Sequence, residues 1–152
     1  MSQPTIKEML FNHCIEYVNM HIETNQKAIE QAQDAASSET RTIASEEPET
    51  GKERMQREVE TFGRRLEEVL EEREVLQSIP YNQTLSCVEP GALVETSVGT
   101  FFISMSADEV EIDGIEYCPI SMVSPIGQAI QGKKAGDVAS FRGKTITIEN
   151  VN

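Results

Sequence analysis

The chain has no tryptophan, two histidines and three cysteines in 152 residues. Cys14, Cys87 and Cys118 are odd in number, far apart and without a C-x-x-C pair, so a disulfide framework does not fit. Free thiols in a reducing compartment are expected. His13 and His21 stand eight residues apart, not the four of a helical metal pair. With only these two histidines, both in the first quarter of the chain, a Ser/His/Asp triad has no support, and no glycine-rich phosphate loop is present. Positive charge is scarce: 13 Lys and Arg face 26 Asp and Glu, for a net charge of −13. Residues 1–78 hold 17 acids and 9 bases, and residues 79–152 hold 9 acids and 4 bases, so neither half is basic. Binding a phosphate backbone needs clustered cations, which leaves nucleic acid an indirect partner. No apolar run approaches the roughly 18–20 residues of a membrane span. The beginning of the chain shows no basic segment followed by an apolar core. A soluble, cytoplasmic protein with no membrane partner is expected.

A further absence organises the first half. From Thr5 to about Ser37 there is neither Gly nor Pro. Phe11, Ile15, Val18, Ile22, Ile29, Ala32 and Ala36, with polar Asn25 completing the series, recur in alternating steps of four and three, a heptad seam. Met55, Val59, Phe62, Leu66, Val69 and Leu76, with Arg73 in the polar slot, repeat the pattern. Acids and bases fill the intervening positions. Gly63 is an interior flaw of roughly 1 kcal/mol relative to Ala. Two helices with matching seams and a short connection predict an antiparallel hairpin. Pairing Ala36 with Met55, Ala32 with Val59, Ile29 with Phe62, Asn25 with Leu66 and Ile22 with Val69 puts the fold-back between Ser45 and Glu46. A slip of one heptad moves it by three or four residues. Arms of about 30 residues reach roughly 45–50 Å at 1.5 Å per residue.

The connector "SSETRTIASEE" is rich in residues that compete for backbone hydrogen bonds. Two starts for the second helix remain open: Pro48 in its first turn, or a capping box in "TGKE", Thr50 to Glu53. Glu46, Glu47 and Glu49 crowd this point. Acids at a helix N-terminus are routine, each contributing about 0.3–1 kcal/mol against the dipole.

At Pro80 the composition changes. "ALVETS", "GTFFISMSA", "EVEIDGIEYCPIS", "DVASF" and "KTITIENV" read as strands, with Asp113-Gly114 and Arg142-Gly143 as turns. In "SPIGQAIQGKK", Ser124 reads as a helix cap, Pro125 as the first residue and Gly132 as the stop. The fold class is α+β, with an antiparallel coiled-coil hairpin over 1–78 and a small strand-rich domain over 79–152.

"SPIGQAIQGKKAGD", Ser124 to Asp137, resembles the C-terminal signature of the GreA/GreB transcription elongation factors. The order and size of the two halves extend the resemblance over nearly the whole chain. It implies an FKBP-like second domain and a partner, bacterial RNA polymerase, whose secondary channel the hairpin enters. Two acids at the hairpin end, in an Asp-x-x-Glu arrangement, help hold Mg2+ in the polymerase active site and promote hydrolysis of backtracked RNA by the polymerase itself. The matching residues are Glu46 and Glu49, so the expected cofactor is a shared Mg2+ and none bound by the protein alone. The chain would not be an enzyme. Glu46 stands where the family has Asp, Pro48 is unusual there, and "ETGKERM" replaces the usual continuation. A secondary-channel inhibitor or initiation regulator is therefore the alternative reading. Ser124 and Pro125 match the region facing the polymerase rim.

Blander readings stand beside these. Lys133 and Lys134 suit a helix C-terminus as well as an acidic partner surface. Arg64 and Arg65, flanked by acids, read as a solvated face. An FKBP-like peptide-binding or isomerase module on a stalk is the alternative of another class, and its only aromatics would be Tyr81, Phe101, Phe102, Tyr117 and Phe141. A coiled-coil dimeriser is a third reading, opposed by the self-pairing register; a monomer is expected.

Overall fold

The computed structural model describes residues 5–42 and 51–152, the side chains of 36–42 excepted. Two helices come first, α1 (Ile6–Thr42) and α2 (Gly51–Ser78). Six strands and one short helix follow: β1 (Leu93–Thr96), β2 (Gly99–Ile103), β3 (Val110–Ile112), β4 (Ile115–Ile120), α3 (Pro125–Ile130), β5 (Val138–Phe141) and β6 (Lys144–Val151). The protein is a helical hairpin followed by a six-stranded mixed sheet. It forms two compact units, one of Val18–Arg73, the other of the chain up to Tyr17 with Glu74–Asn152.

In the helical unit the heptad seam is the buried stripe. Val18, Ile22, Asn25 and Ala32 are buried on α1. On α2, Met55, Val59, Phe62, Leu66, Val69 and Arg73 are half-buried, and between Lys52 and Arg73 every other residue but Gly63 is exposed. The helices run antiparallel: Arg73 Nη1 donates to Asn19 Oδ1 at 3.3 Å, close to the register read from the seam. Asn25 satisfies its amide within its own helix, Nδ2 donating to His21 O at 2.8 Å. The Ala36–Met55 pair and the fold-back at Ser45–Glu46 lie outside the described side chains.

The second unit is built on a sheet of strand order β3-β4-β2-β1-β6-β5. All neighbours are antiparallel except β2 and β4, which run parallel with Phe101 opposite Cys118. The expected two-residue turns are type I′ in character. Asp113 and Gly114 have φ of 52° and 81°, and Arg142 and Gly143 have 51° and 78°. One sheet face carries Val94, Phe101, Ile103, Ile120, Ala139, Ile146 and Ile148, packed with Val88 and with Ile130 of α3. By strand alternation, Leu93, Phe102, Tyr117 and Pro119 point to the other face and are buried there.

The first turns of α1 belong to this unit and correct the seam at its start. Leu10 and Cys14 are fully buried, whereas Phe11 and Ile15 are only half-buried. Here α1 answers to the sheet unit as well as to a helix partner. Cys14 Sγ lies 3.5 Å from Ser104 Oγ, His13 Nε2 donates to Asp108 O at 3.0 Å, and Phe11 stacks on Tyr81 at 4.3 Å. The strand expected through "GTFFISMSA" stops at Ile103; Ser104 N still donates to Ile120 O at 2.8 Å, and beyond it the segment runs as a loop whose Asp108 carbonyl meets His13.

Candidate functional site

The best-built local structure among the expected site residues surrounds Ser124 and Pro125. Ser124 takes an extended backbone (φ −65°, ψ 155°) and caps α3, its Oγ accepting from Gly127 N at 3.2 Å. The same hydroxyl donates to Ser121 O at 2.5 Å. Gln128 Nε2 donates to Val123 O at 3.2 Å, and Ser121 Oγ accepts from Val123 N at 3.2 Å. Pro125 occupies the first turn, where a missing N–H costs nothing. Gly127 is required by space: a Cβ there would stand 2.3 Å from Ser121 O and 3.0 Å from Met122 O. The S-P-x-G pattern is thus a cap, a first turn and a close approach in four residues. The turn leaves Val123 78% exposed and Pro125 exposed.

The segment after α3 is fixed with equal economy. Gly132, at φ 75°, ends the helix as expected. Val88 N donates to Lys133 O at 2.8 Å, and Gly132 N donates to Val88 O at 2.9 Å. Asp137 closes the next turn, its Oδ2 accepting from Lys134 N at 2.8 Å. The side chains of Lys133 and Lys134 remain outside this scaffold of backbone bonds.

Glu46 and Glu49, expected to assist a metal, lie outside the described residues, as does Glu47. Among the described residues no three His, Cys, Asp or Glu side chains come together as a metal site. His13 and His21 do not converge: His13 binds a loop carbonyl in one unit, and His21 stands near Glu72 in the other. Arg64 and Arg65 are exposed, Arg65 lying over the Phe62 ring at 5.5 Å. The aromatics do not line a common pocket: Phe101, Phe102 and Tyr117 are buried in the sheet unit, Tyr81 stacks on Phe11, and Phe141 lies under Arg142.

The thiols are not poised for nucleophilic chemistry. Burial pushes the Cys14 and Cys118 thiols above the ordinary cysteine value. The hydrogen bond to Glu89 does the same for Cys87, whose Sγ lies 3.2 Å from Glu89 Oε2. An activated cysteine needs the opposite shift.

Lys7 is a residue that periodicity did not single out. It is 9% exposed, and its Nζ donates to Gln83 O at 2.6 Å. Burial lowers its pKa from the ordinary lysine value. It lines a cleft of about 350 Å3 with Thr5, Ile6, Tyr81, Asn82 and Leu93 among others. Its ammonium ties the start of α1 to the segment leaving α2. A lysine between Ile6 and Glu8 gives no signal of that in sequence.

No family model matches the chain, and no curated protein matches it. Among solved structures it is similar to GreA factor homolog 1 (Gfh1) of Thermus thermophilus, at 17% identity, with 90% of this chain and 93% of that chain covered and a TM-score of 0.37. A second structure, of the transcription factor Gfh1, gives 17% identity, coverage of 93% and 92%, and a TM-score of 0.35. At this identity and score, function has to be argued from the chain's own residues.

Proposed function

We propose that this protein is a Gre-like accessory factor of bacterial RNA polymerase. It acts from the secondary channel of the polymerase and is not an enzyme by itself. One observation carries the reading. A single chain joins a long two-helix hairpin, with Glu46 and Glu49 in its connector, to a sheet unit whose α3 is built on Ser124, Pro125 and Gly127. A heptad hairpin alone is common. The same chain carrying acids between the helices and the capped S-P-I-G segment is a narrower combination.

Glu46 and Glu49 offer carboxylate oxygens, the donor type a hard divalent cation takes. The remaining ligands come from the polymerase, because one or two carboxylates make a poor magnesium site alone. Bound there, Mg2+ supplies activation of water and charge neutralisation at the scissile phosphate. The role of this chain is to present the carboxylates. Ser124 and Pro125 shape an exposed turn suited to a protein partner, next to exposed Val123. The factor works as a monomer in the cytoplasm.

A second reading is favoured by Glu46 and Pro48. The extra methylene of Glu over Asp moves the carboxylate about one bond outward. Carboxylates presented that much further out would hold a shared Mg2+ less well for activating water. In that reading the factor occupies the channel and inhibits or retunes the polymerase without cleavage.

The test uses purified bacterial polymerase on a stalled, backtracked transcript with Mg2+. RNA shortening that disappears in Glu46→Ala and Glu49→Ala supports cleavage stimulation. Binding with slowed elongation and no shortening supports the second reading. Absence of binding to polymerase overturns both.

A further inference from the structure

The two free edges of the sheet differ. At one end β3 carries its own guard. Its register, Ile112 opposite Ile115 around a two-residue turn, points the backbone N–H and C=O of Glu111 outward. Glu111 is exposed, and Asp108, Glu109, Asp113 and Glu116 surround it without a base in the segment. A charged side chain in a short edge strand, among like charges, keeps other strands away.

At the other end β5 has no such guard. Phe141 pairs with Lys144 across the Arg142-Gly143 turn, and Asp137 O accepts from Ile148 N at 2.8 Å. Alternation then directs Asp137, Ala139 and Phe141 to β6, and the N–H and C=O groups of Val138 and Ser140 outward. The strand, Val-Ala-Ser-Phe, has no charge and no proline. Val138 is 54% exposed. Cations stand at both ends in sequence, Lys133 and Lys134 before the strand and Arg142 and Lys144 after it. None of the four makes an ion pair among the described residues. The acid nearest in sequence, Asp137, already accepts from Lys134 N.

We propose that the β5 edge is a docking site for an acidic, extended polypeptide segment of a partner protein, added to the sheet as a seventh strand. An outward row of alternating N–H and C=O groups calls for a strand, because only another peptide backbone answers both. The flanking cations set the sign of the segment. A nucleic acid strand would use the cations and leave the N–H and C=O groups unanswered. A second copy of this chain could offer its acidic β3 edge. That occupant would show itself as a shift of the β5 and β3 amides on concentrating the protein alone.

The test titrates the full-length, isotope-labelled protein with a blocked hexapeptide alternating glutamate and valine, followed by amide NMR. The Val138 and Ser140 amides should shift and exchange more slowly with solvent, and the β3 amides should not. Lys134→Glu combined with Lys144→Glu should weaken binding by roughly tenfold and flatten its salt dependence. Ser140→Glu, which places an acid in the strand as on β3, should abolish it while the melting curve stays as in the parent protein. The proposal is overturned if the Val138 and Ser140 amides stay unchanged to millimolar peptide. It is equally overturned if a lysine–valine hexapeptide or a single-stranded oligonucleotide moves them as much, or if they shift on concentrating the protein alone. The readout contains no polymerase, so it stands or falls apart from the transcription reading.

Discussion

The helical unit and the sheet unit bury their apolar residues in different ways. Between Gly51 and Arg73, α2 has no buried residue; its seam side chains are half-covered because a single partner helix shields one side only. In the sheet unit Phe102, Leu10, Ile103, Ile130, Ile146 and Ile148 are all fully buried. The first arrangement repeats a small contribution every three or four residues and can be extended or opened piecemeal. The second is cooperative, since each side chain packs against several elements at once. Local opening is therefore expected in the helical unit at much lower cost than in the sheet unit.

The largest effect should come from the sheet unit. Phe102→Ala, at a side chain with no solvent exposure, should cost about 3–5 kcal/mol in chemical denaturation. A loss near that of an exposed seam residue would erase the contrast between the units. Gly127→Ala comes next. Its Cβ would meet the Ser121 carbonyl, a backbone atom that cannot swing away, so about 1–3 kcal/mol should be lost. Amide exchange should quicken around α3 and leave α2 unchanged.

Two changes in the helical unit should be smaller and of the opposite sign. Gly63 has no neighbouring atom within 4 Å of a built Cβ, so Gly63→Ala should stabilise α2 by roughly 1 kcal/mol. Slower exchange confined to α2 would sharpen the picture of an arm that opens by itself. A matching gain in the sheet unit would break it. Glu72 has a raised pKa from desolvation first and then the charge of Glu68, with His21 opposing. A carboxyl whose folded pKa exceeds its unfolded one contributes stability fully below the unfolded value and loses it as pH rises through the folded value. The helical unit should therefore tighten on acidification from neutral pH through that raised pKa. Glu72→Gln should flatten this dependence and add a few tenths of a kcal/mol at neutral pH, because the site is exposed. Helix exchange rates against pH in the parent and variant proteins check both points.

Much of the architecture was legible because it is encoded over short stretches. The α2 seam follows from a three-to-four period, and every expected seam position from Met55 to Leu76 is half-buried or buried. The two type I′ turns follow from Asp-Gly and Arg-Gly between alternating runs. The α3 cap follows from Ser-Pro before a short apolar stretch. The reading of Glu46 and Glu49 rests on spacing and resemblance alone, since those residues lie outside the described ones. Of the candidate site, only Ser124 and Pro125 can be placed in three dimensions.

The remaining features depend on residues distant in the chain. Heptad arithmetic extends the seam to Phe11 and Ile15, but Leu10 and Cys14 are the buried pair, because Ser104, Asp108 and Tyr81 reach α1 from about 70–95 residues away. Lys7 is buried because Gln83 supplies a carbonyl, and Gly127 is obligatory because Ser121 and Met122 fold over it. The parallel pairing of β2 with β4 leaves β3 and β5 as the edges, and only that order separates a charged edge from a bare one. By itself, the sequence determined which helices, turns and strands form and in what order, since those are settled by periodicity and backbone preference within a few residues; where α1 and β2 end, at Thr42 and Ile103, was not legible in it. Which side chains are buried, which glycine cannot be replaced and which strand is left unpaired were decided by the tertiary structure, because each depends on what the rest of the chain brings alongside.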